Sequence, residues 1–190
     1  MKNNIIGRKS EQDTLARIYE SRQSEFVAVC GRRRVGKTFL VREYFEQEMV
    51  FQTSGLAGGN TQEQLKNFFY TLRRYDRNVT SVPHDWLDAF EMLITYLDSL
   101  NGIERKVIFL DELPWMDTAG SNFISALEHF WNGWASARRD IVLIVCGSAT
   151  SWMMDKLINN HGGLYGRLTH RLFLQPFSLG ESEAFLNTKG

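Results

Sequence analysis

Residues 26 to 38 run Phe26-Val27-Ala28-Val29-Cys30-Gly31-Arg32-Arg33-Arg34-Val35-Gly36-Lys37-Thr38, five apolar residues leading into the pattern G-x-x-x-x-G-K-[ST]. The apolar run reads as a buried parallel strand, and Phe39-Leu40-Val41 with Tyr44-Phe45 behind it recur at helical spacing. Strand, glycine-rich turn and helix in that order make a phosphate-binding loop. Gly31, Arg32, Arg33, Arg34, Val35 and Gly36 supply a backbone that curls with its N–H groups inward, and Lys37, Thr38 and Phe39 open a helix whose N-terminus favours negative charge. Lys37 then reaches the β- and γ-phosphates, and the Thr38 hydroxyl serves a Mg²⁺ ion. The alternative reading is a glycine-rich turn that binds nothing.

Outward from this loop, strand-like runs alternate with helical stripes, the signature of an α/β domain with a parallel sheet. Ser10 is placed to cap a helix carrying Leu15, Ile18 and Tyr19. Met49 to Thr53 reads as a second strand and Gly55 to Asn60 as a flexible loop. Thr61-x-x-Gln64 reads as a capping box for a helix striped by Leu65, Phe68, Phe69 and Leu72. Trp86, Phe90, Leu93, Leu97 and Leu100 stripe the next helix, which Asn101-Gly102 closes. Lys106 to Asp111 is a third strand, Phe123 to Trp134 another helix, Ile141 to Gly147 a fourth strand, and Arg171 to Gln175 a fifth, stopped by Pro176. Asn159 to Gly163 is an exposed loop by composition. Ser178-x-x-Glu181 is a second capping box, opening a helix of barely two turns before Gly190. The aromatic stripes read as core, because helical spacing explains them.

The 190 residues are 43% hydrophobic and 23% charged, ordinary for a globular chain. The 22 basic residues equal the 22 acidic ones, so no bulk field draws the chain to nucleic acid or an anionic membrane. No apolar run approaches the ~20 residues of a membrane span, and Met1 to Asn4 lack a signal-peptide core, so a cytoplasmic setting is expected. Cys30 and Cys146 end apolar strands and read as reduced packing residues, with a redox pair between neighbouring strands as the alternative. His84, His129, His161 and His170 show no metal-ligand spacing.

The second half of the site begins at Val107-Ile108-Phe109-Leu110-Asp111-Glu112, an apolar strand delivering two acids. Asp111 is positioned to hold the metal and Glu112 to orient or deprotonate an attacking water. In open parallel sheets ligands sit at the C-terminal strand ends, so Gly31, Asp111 and Ser148 are expected to converge. Ser148 is a candidate to hydrogen-bond the γ-phosphate or the water; a helix N-cap for Trp152 onward is an equal reading.

These residues carry a resemblance. The loop Gly-Arg-Arg-Arg-Val-Gly-Lys-Thr, Phe-Leu-Asp-Glu-Leu-Pro-Trp-Met at 109–116, Cys-Gly-Ser-Ala-Thr-Ser-Trp-Met at 146–153, and Tyr-Gly-Arg-Leu-Thr with Leu-Gln-Pro-Phe-Ser near the end resemble the prokaryotic AAA+-type P-loop ATPases. The match is to the archaeal and bacterial group related to signal-transduction ATPases with numerous domains, and it spans nearly the whole chain. It implies a three-layer α/β/α fold around a five-stranded parallel sheet of order 5-1-4-3-2, with ATP and Mg²⁺ as ligands. It further implies that Ile6, Gly7 and Arg8 pack near the adenine and that Ser148 acts as first sensor. Arg167, or else Arg171, becomes an arginine finger supplied by a neighbouring subunit of a homo-oligomer. A solvated loop charge at Arg167 and a strand-edge ion pair at Arg171 are the plain alternatives. Family members carry a helical lid and further domains, so residues 1–177 are expected to form the ATPase core and 178–190 the start of a lid, within a longer protein.

Two other readings compete with hydrolysis. One is a switch or scaffold that binds ATP, turns it over very slowly and changes its contacts to an effector that the sequence does not name. The other is nucleic-acid engagement, as in a regulatory ATPase domain of a DNA-associated protein, through Arg32-Arg33-Arg34, Arg73-Arg74 and Arg138-Arg139, clusters that also read as solvated faces. A small-molecule kinase fits the acid pair less well, and no Asn-Lys-x-Asp signal for guanine is present.

Overall fold

The computed structural model describes residues 5–159, 163–164 and 166–189. Five parallel strands form one sheet: β1 (Glu25–Cys30), β2 (Met49–Ser54), β3 (Lys106–Asp111), β4 (Ile141–Gly147) and β5 (His170–Phe173), in the spatial order β2-β3-β4-β1-β5. Read from the other edge this is the 5-1-4-3-2 order implied by the resemblance. The three central strands are buried along their whole length, which is why their sequences are unbroken apolar runs.

Helices cover both faces. α1 (Lys9–Glu20) and α2 (Lys37–Tyr44) pack Leu15, Ile18, Leu40 and Val41 against Val27, Val29, Phe109 and Ile144. On the other face lie α3 (Thr61–Tyr75), α4 (Trp86–Ser99), α5 (Leu113–Met116), α6 (Phe123–Gly133) and α7 (Thr150–Met153), the last continued by a π-helical turn, Met154–Ile158. There Trp86 meets Phe123 edge-on at 4.8 Å and Phe90 stacks on Phe130 at 5.1 Å. Each such buried ring contributes on the order of 1.5–3 kcal/mol by leaving water. The aromatic stripes are therefore core, as their spacing implied. A last helix, α8 (Leu179–Lys189), follows β5.

Several local expectations are corrected. Ser10 lies inside α1, bonding Glu11; the helix starts from Arg8, a left-handed residue with no side-chain cap. The α3 capping box is Asn60 with Glu63, one residue earlier than Thr61 with Gln64. Freed from that role, Gln64 is buried and pins the Gly55–Asn60 segment through the Leu56 N–H and the Leu56 and Gly59 carbonyls, so this loop is fastened down. β5 begins at His170 and ends at Phe173, although Leu174 N still bonds the Cys30 carbonyl. Ser178 and Glu181 do form their capping box, and α8 runs 11 residues, longer than two turns.

Cys30 and Cys146 sit on neighbouring strands, yet Val29, not Cys30, is opposite Cys146. Their side chains enter opposite cores, which rules out the redox pair. Burial pushes the Cys30 thiol up to about 11 and the Cys146 thiol further up, so both are inert packing groups. Of the expected loop at 159–163, Asn160, His161 and Gly162 lie outside the described residues, as does Tyr165 of the resemblance motif.

Candidate functional site

The phosphate-binding loop leaves β1 through a backbone that only particular residues tolerate. Gly31 has φ 145° and faces the chain following β5; a Cβ there would collide with the Leu174 carbonyl. Arg34 is left-handed at φ 65°, and Gly36, at φ 89°, precedes the first turn of α2. That curl turns successive backbone N–H groups toward one concavity. Lys37 is only 6% exposed, and its ammonium donates to the Gly31 and Arg32 carbonyls, each at 2.8 Å. A buried cation needs such partners, and here they are loop carbonyls rather than a carboxylate.

Two pairs of polar groups from different strand ends meet beside the loop. Thr38 Oγ1 donates to Asp111 Oδ2 at 2.8 Å, joining the start of α2 to the end of β3. Ser148 Oγ donates to Glu112 Oε2 at 3.0 Å, and Arg33 Nε donates to Ser148 Oγ at 3.4 Å. Glu112 itself is held left-handed at φ 47°, its N–H bonded to Asp111 Oδ1. Strained backbone of this kind persists only where surroundings fix it. They do: Gly55 N bonds the Asp111 carbonyl, and a Cβ on Gly55 would lie 2.6 Å from the Glu112 carbonyl. Pro114, in the first turn of α5, and Met153 flank Gly147, where a Cβ would lie 2.9 Å from each. Trp152 Nε1 donates to Asp117 Oδ2 at 3.0 Å, tying the helix after β4 to the segment after β3. Gly31, Asp111 and Ser148 thus converge as the parallel sheet predicts.

Beside the loop opens a cavity of about 840 Å³, lined by Ile6, Arg34, Gly36, Phe39, Pro176 and Phe177 among others. Its size and mostly apolar wall suit a nucleoside. Arg8 is buried at its edge. Its guanidinium donates to the Val35 carbonyl at 3.0 Å and lies 4.6 Å over the Phe177 ring, while its N–H donates to Glu181 at 2.8 Å. Gly7 gives Glu181 room, because a Cβ there would lie 2.9 Å from its side chain. Asp117, Gln64 and Glu181 were missed as supporting residues; Gln64 and Glu181 each stood in a capping-box pattern, that of Gln64 one residue out of register, and Asp117 carried no signal.

Arg167 and Arg171 are not gathered in. Both are exposed, Arg167 in a turn where its N–H bonds the Leu164 carbonyl, Arg171 on the edge strand. Among the described residues no hydrogen bond or ion pair links either one to Asp111, Glu112 or Ser148. Arg138 is committed elsewhere, paired with Asp98 and Asp140 at 2.8 Å and lying over Trp134.

The sequence profile of an ATPase domain family, described as predominantly from Archaea, matches residues 6–189. The chain belongs to this family. An uncharacterized protein of Methanocaldococcus jannaschii, MJECL04, is 26% identical over 181 residues, 95% of this chain and 38% of that protein. Among solved structures, the Walker-type ATPase paby2304 of Pyrococcus abyssi aligns with TM-score 0.71 at 18% identity, over 97% of this chain and 58% of that one. Cdc6p from Pyrobaculum aerophilum aligns with TM-score 0.62 at 15% identity, over 98% and 50%. The chain thus spans well under two thirds of the length of these relatives. The resemblance to prokaryotic P-loop ATPases is borne out in family and in fold: the chain is an ATPase domain. No helix among the described residues is long and apolar enough to cross a membrane.

Proposed function

We propose that this domain hydrolyses ATP in a Mg²⁺-dependent reaction at the junction of its phosphate-binding loop with the ends of β3 and β4. The observation that carries the reading is the meeting of Thr38 with Asp111 and of Ser148 with Glu112 across three chain segments. Backbone N–H groups of residues 31–38 cradle the phosphates, and the Lys37 ammonium exchanges its loop carbonyls for β- and γ-phosphate oxygens. Thr38 and Asp111, two hard oxygen donors in contact, fit a magnesium ion, which when bound neutralises charge on the phosphates. Glu112 accepts the proton of the attacking water as the terminal phosphoryl group leaves ADP. Ser148 aims that carboxylate and senses the γ-phosphate, and Arg33 adds positive charge beside them. The cavity at Ile6, Arg8 and Phe39 takes the adenosine, with Gly7 between two of its lining residues.

Arg167, with Arg171 as the second candidate, completes the site of a neighbouring copy. Exposure of both, with no hydrogen bond or ion pair from either to the acid pair among the described residues, fits action in trans. Residues 178–190 begin a lid, and the domain works in the cytoplasm, within a longer protein whose effector domains set its partners. A slow ATP switch that changes its partner contacts with nucleotide state is the second reading.

Phosphate release tests the reading. Turnover is expected with Mg²⁺ and ATP, to vanish with EDTA, and to vanish in Lys37→Ala along with ATP binding. Turnover that persists in Lys37→Ala contradicts the assignment of the site.

A further inference from the structure

The Arg73-Arg74 cluster is left unused by the ATP site, and its setting is specific. Lys66, Tyr70, the adjacent Arg73 and Arg74, and Arg77 follow at steps of three or four residues, Arg73 and Arg74 side by side, so they form a stripe along the exposed side of α3 and the turn beyond it. Between Glu63 and Asp76 the helix has no acid. Glu63 is spent on the capping box, and the Asp76 carboxylate accepts the Asn78 N–H. Among the described residues, none of Arg73, Arg74 and Arg77 makes an ion pair. Favourable interaction with the helix C-terminus accounts for basic residues in a last turn. It does not account for Tyr70, 56% exposed, nor for the concavity of about 290 Å³ bounded by Tyr70, Arg73, Arg74 and Arg77.

We propose that this stripe binds single-stranded nucleic acid, one base stacking on Tyr70 while successive phosphates meet Arg73, Arg74 and Arg77. Guanidinium groups match phosphate oxygens, an exposed phenol offers a face to any base, and the concavity has room for one nucleotide. An acidic peptide would satisfy the arginines but leave the aromatic unexplained. The location separates this site from the ATP site. Asn67, midway along α3, bonds the Ser54 carbonyl at the C-terminal end of β2, whereas Tyr75 packs on Phe51 further back. The arginine end of the stripe therefore lies away from the phosphate loop, and the proposal does not depend on how ATP is handled.

The test is fluorescence anisotropy of the full chain with a labelled oligothymidylate, titrated at salt between about 50 and 200 mM. Binding is expected with a log–log salt slope of roughly −2, as three neutralised phosphates give. Arg74→Glu combined with Arg77→Glu should weaken it at least about tenfold and flatten the slope, and Tyr70→Ala about tenfold with the slope retained. These side chains are exposed, so melting temperatures should hold. Absence of binding, or binding unchanged in both variants, overturns the proposal. Equal competition by polyglutamate with no effect of Tyr70→Ala also overturns it, and assigns the stripe to an acidic protein.

Discussion

In the proposed reaction the chemistry turns on Lys37 and Glu112, and both are held in states that cost free energy. The Lys37 ammonium is buried with two carbonyls as partners, and Glu112 sits in a left-handed conformation that costs on the order of 1 kcal/mol or more. Such positions are kept where a ligand or a reaction uses them. Ser148 touches that carboxylate directly, so its hydroxyl matters to turnover more than to affinity. Ser148→Ala is expected to lower kcat by about a hundredfold while the ATP dissociation constant moves less than about threefold, measured by phosphate release and equilibrium titration. A loss of affinity matching the loss of rate would make Ser148 a binding residue instead.

At the scale of elements, the sheet is fixed at both ends by polar or steric locks. Arg138 and Lys106 clasp Asp140 before β4, at 2.8 and 2.6 Å. Hydrogen bonds from Arg138 hold the Asp140 carboxyl well below its ordinary range, and Lys106 adds to the effect. A carboxylate depressed in the folded state contributes stability above its unfolded pKa and loses it as pH falls toward the folded value. Asp140→Asn is therefore expected to destabilise by about 3 kcal/mol near neutrality, because Lys106 is left buried without its partner. In urea melts the gap to the parent should shrink below about pH 4. A gap independent of pH would mean that the pair contributes packing alone. At the opposite end, Gly147→Ala should cost roughly 1–3 kcal/mol, as Pro114 and Met153 leave no space for a methyl group.

The same elements show what a sequence reveals and what it hides. Central strands and aromatic stripes were legible because full burial imposes unbroken apolar runs or helical spacing. The phosphate loop and the acid pair were legible because their chemistry restricts residue types. Helix starts were less so: Arg8, Glu112 and Asn122 open α1, α5 and α6 from left-handed conformations with no capping side chain to announce them. Asn60 and Thr61 both suit an N-cap, and only the position of Gln64 under its loop separates the two registers. The bond between Trp152 and Asp117 joins residues 35 apart, and no local pattern encodes it.

For the whole molecule, one contact chain runs from the ATP loop to the C-terminal helix. The Val35 carbonyl accepts from the Arg8 guanidinium, and the Arg8 backbone N–H donates to Glu181 in the first turn of α8. Glu181→Ala is expected to weaken ATP binding several-fold by freeing this strap, with the melting temperature nearly unchanged since Glu181 lies near the surface. Assembly has its own signature. If Arg167 serves a neighbouring copy, turnover per mole should rise with protein concentration, and Arg167→Ala should abolish that rise. Flat specific activity in both proteins would remove the arginine from the mechanism. The central claim, that Glu112 activates water for ATP hydrolysis, is met most directly by one comparison: ATP binding and phosphate release in Glu112→Gln beside the parent. Retained binding with turnover down at least about a hundredfold is the expected result. Hydrolysis at the parental rate would contradict it.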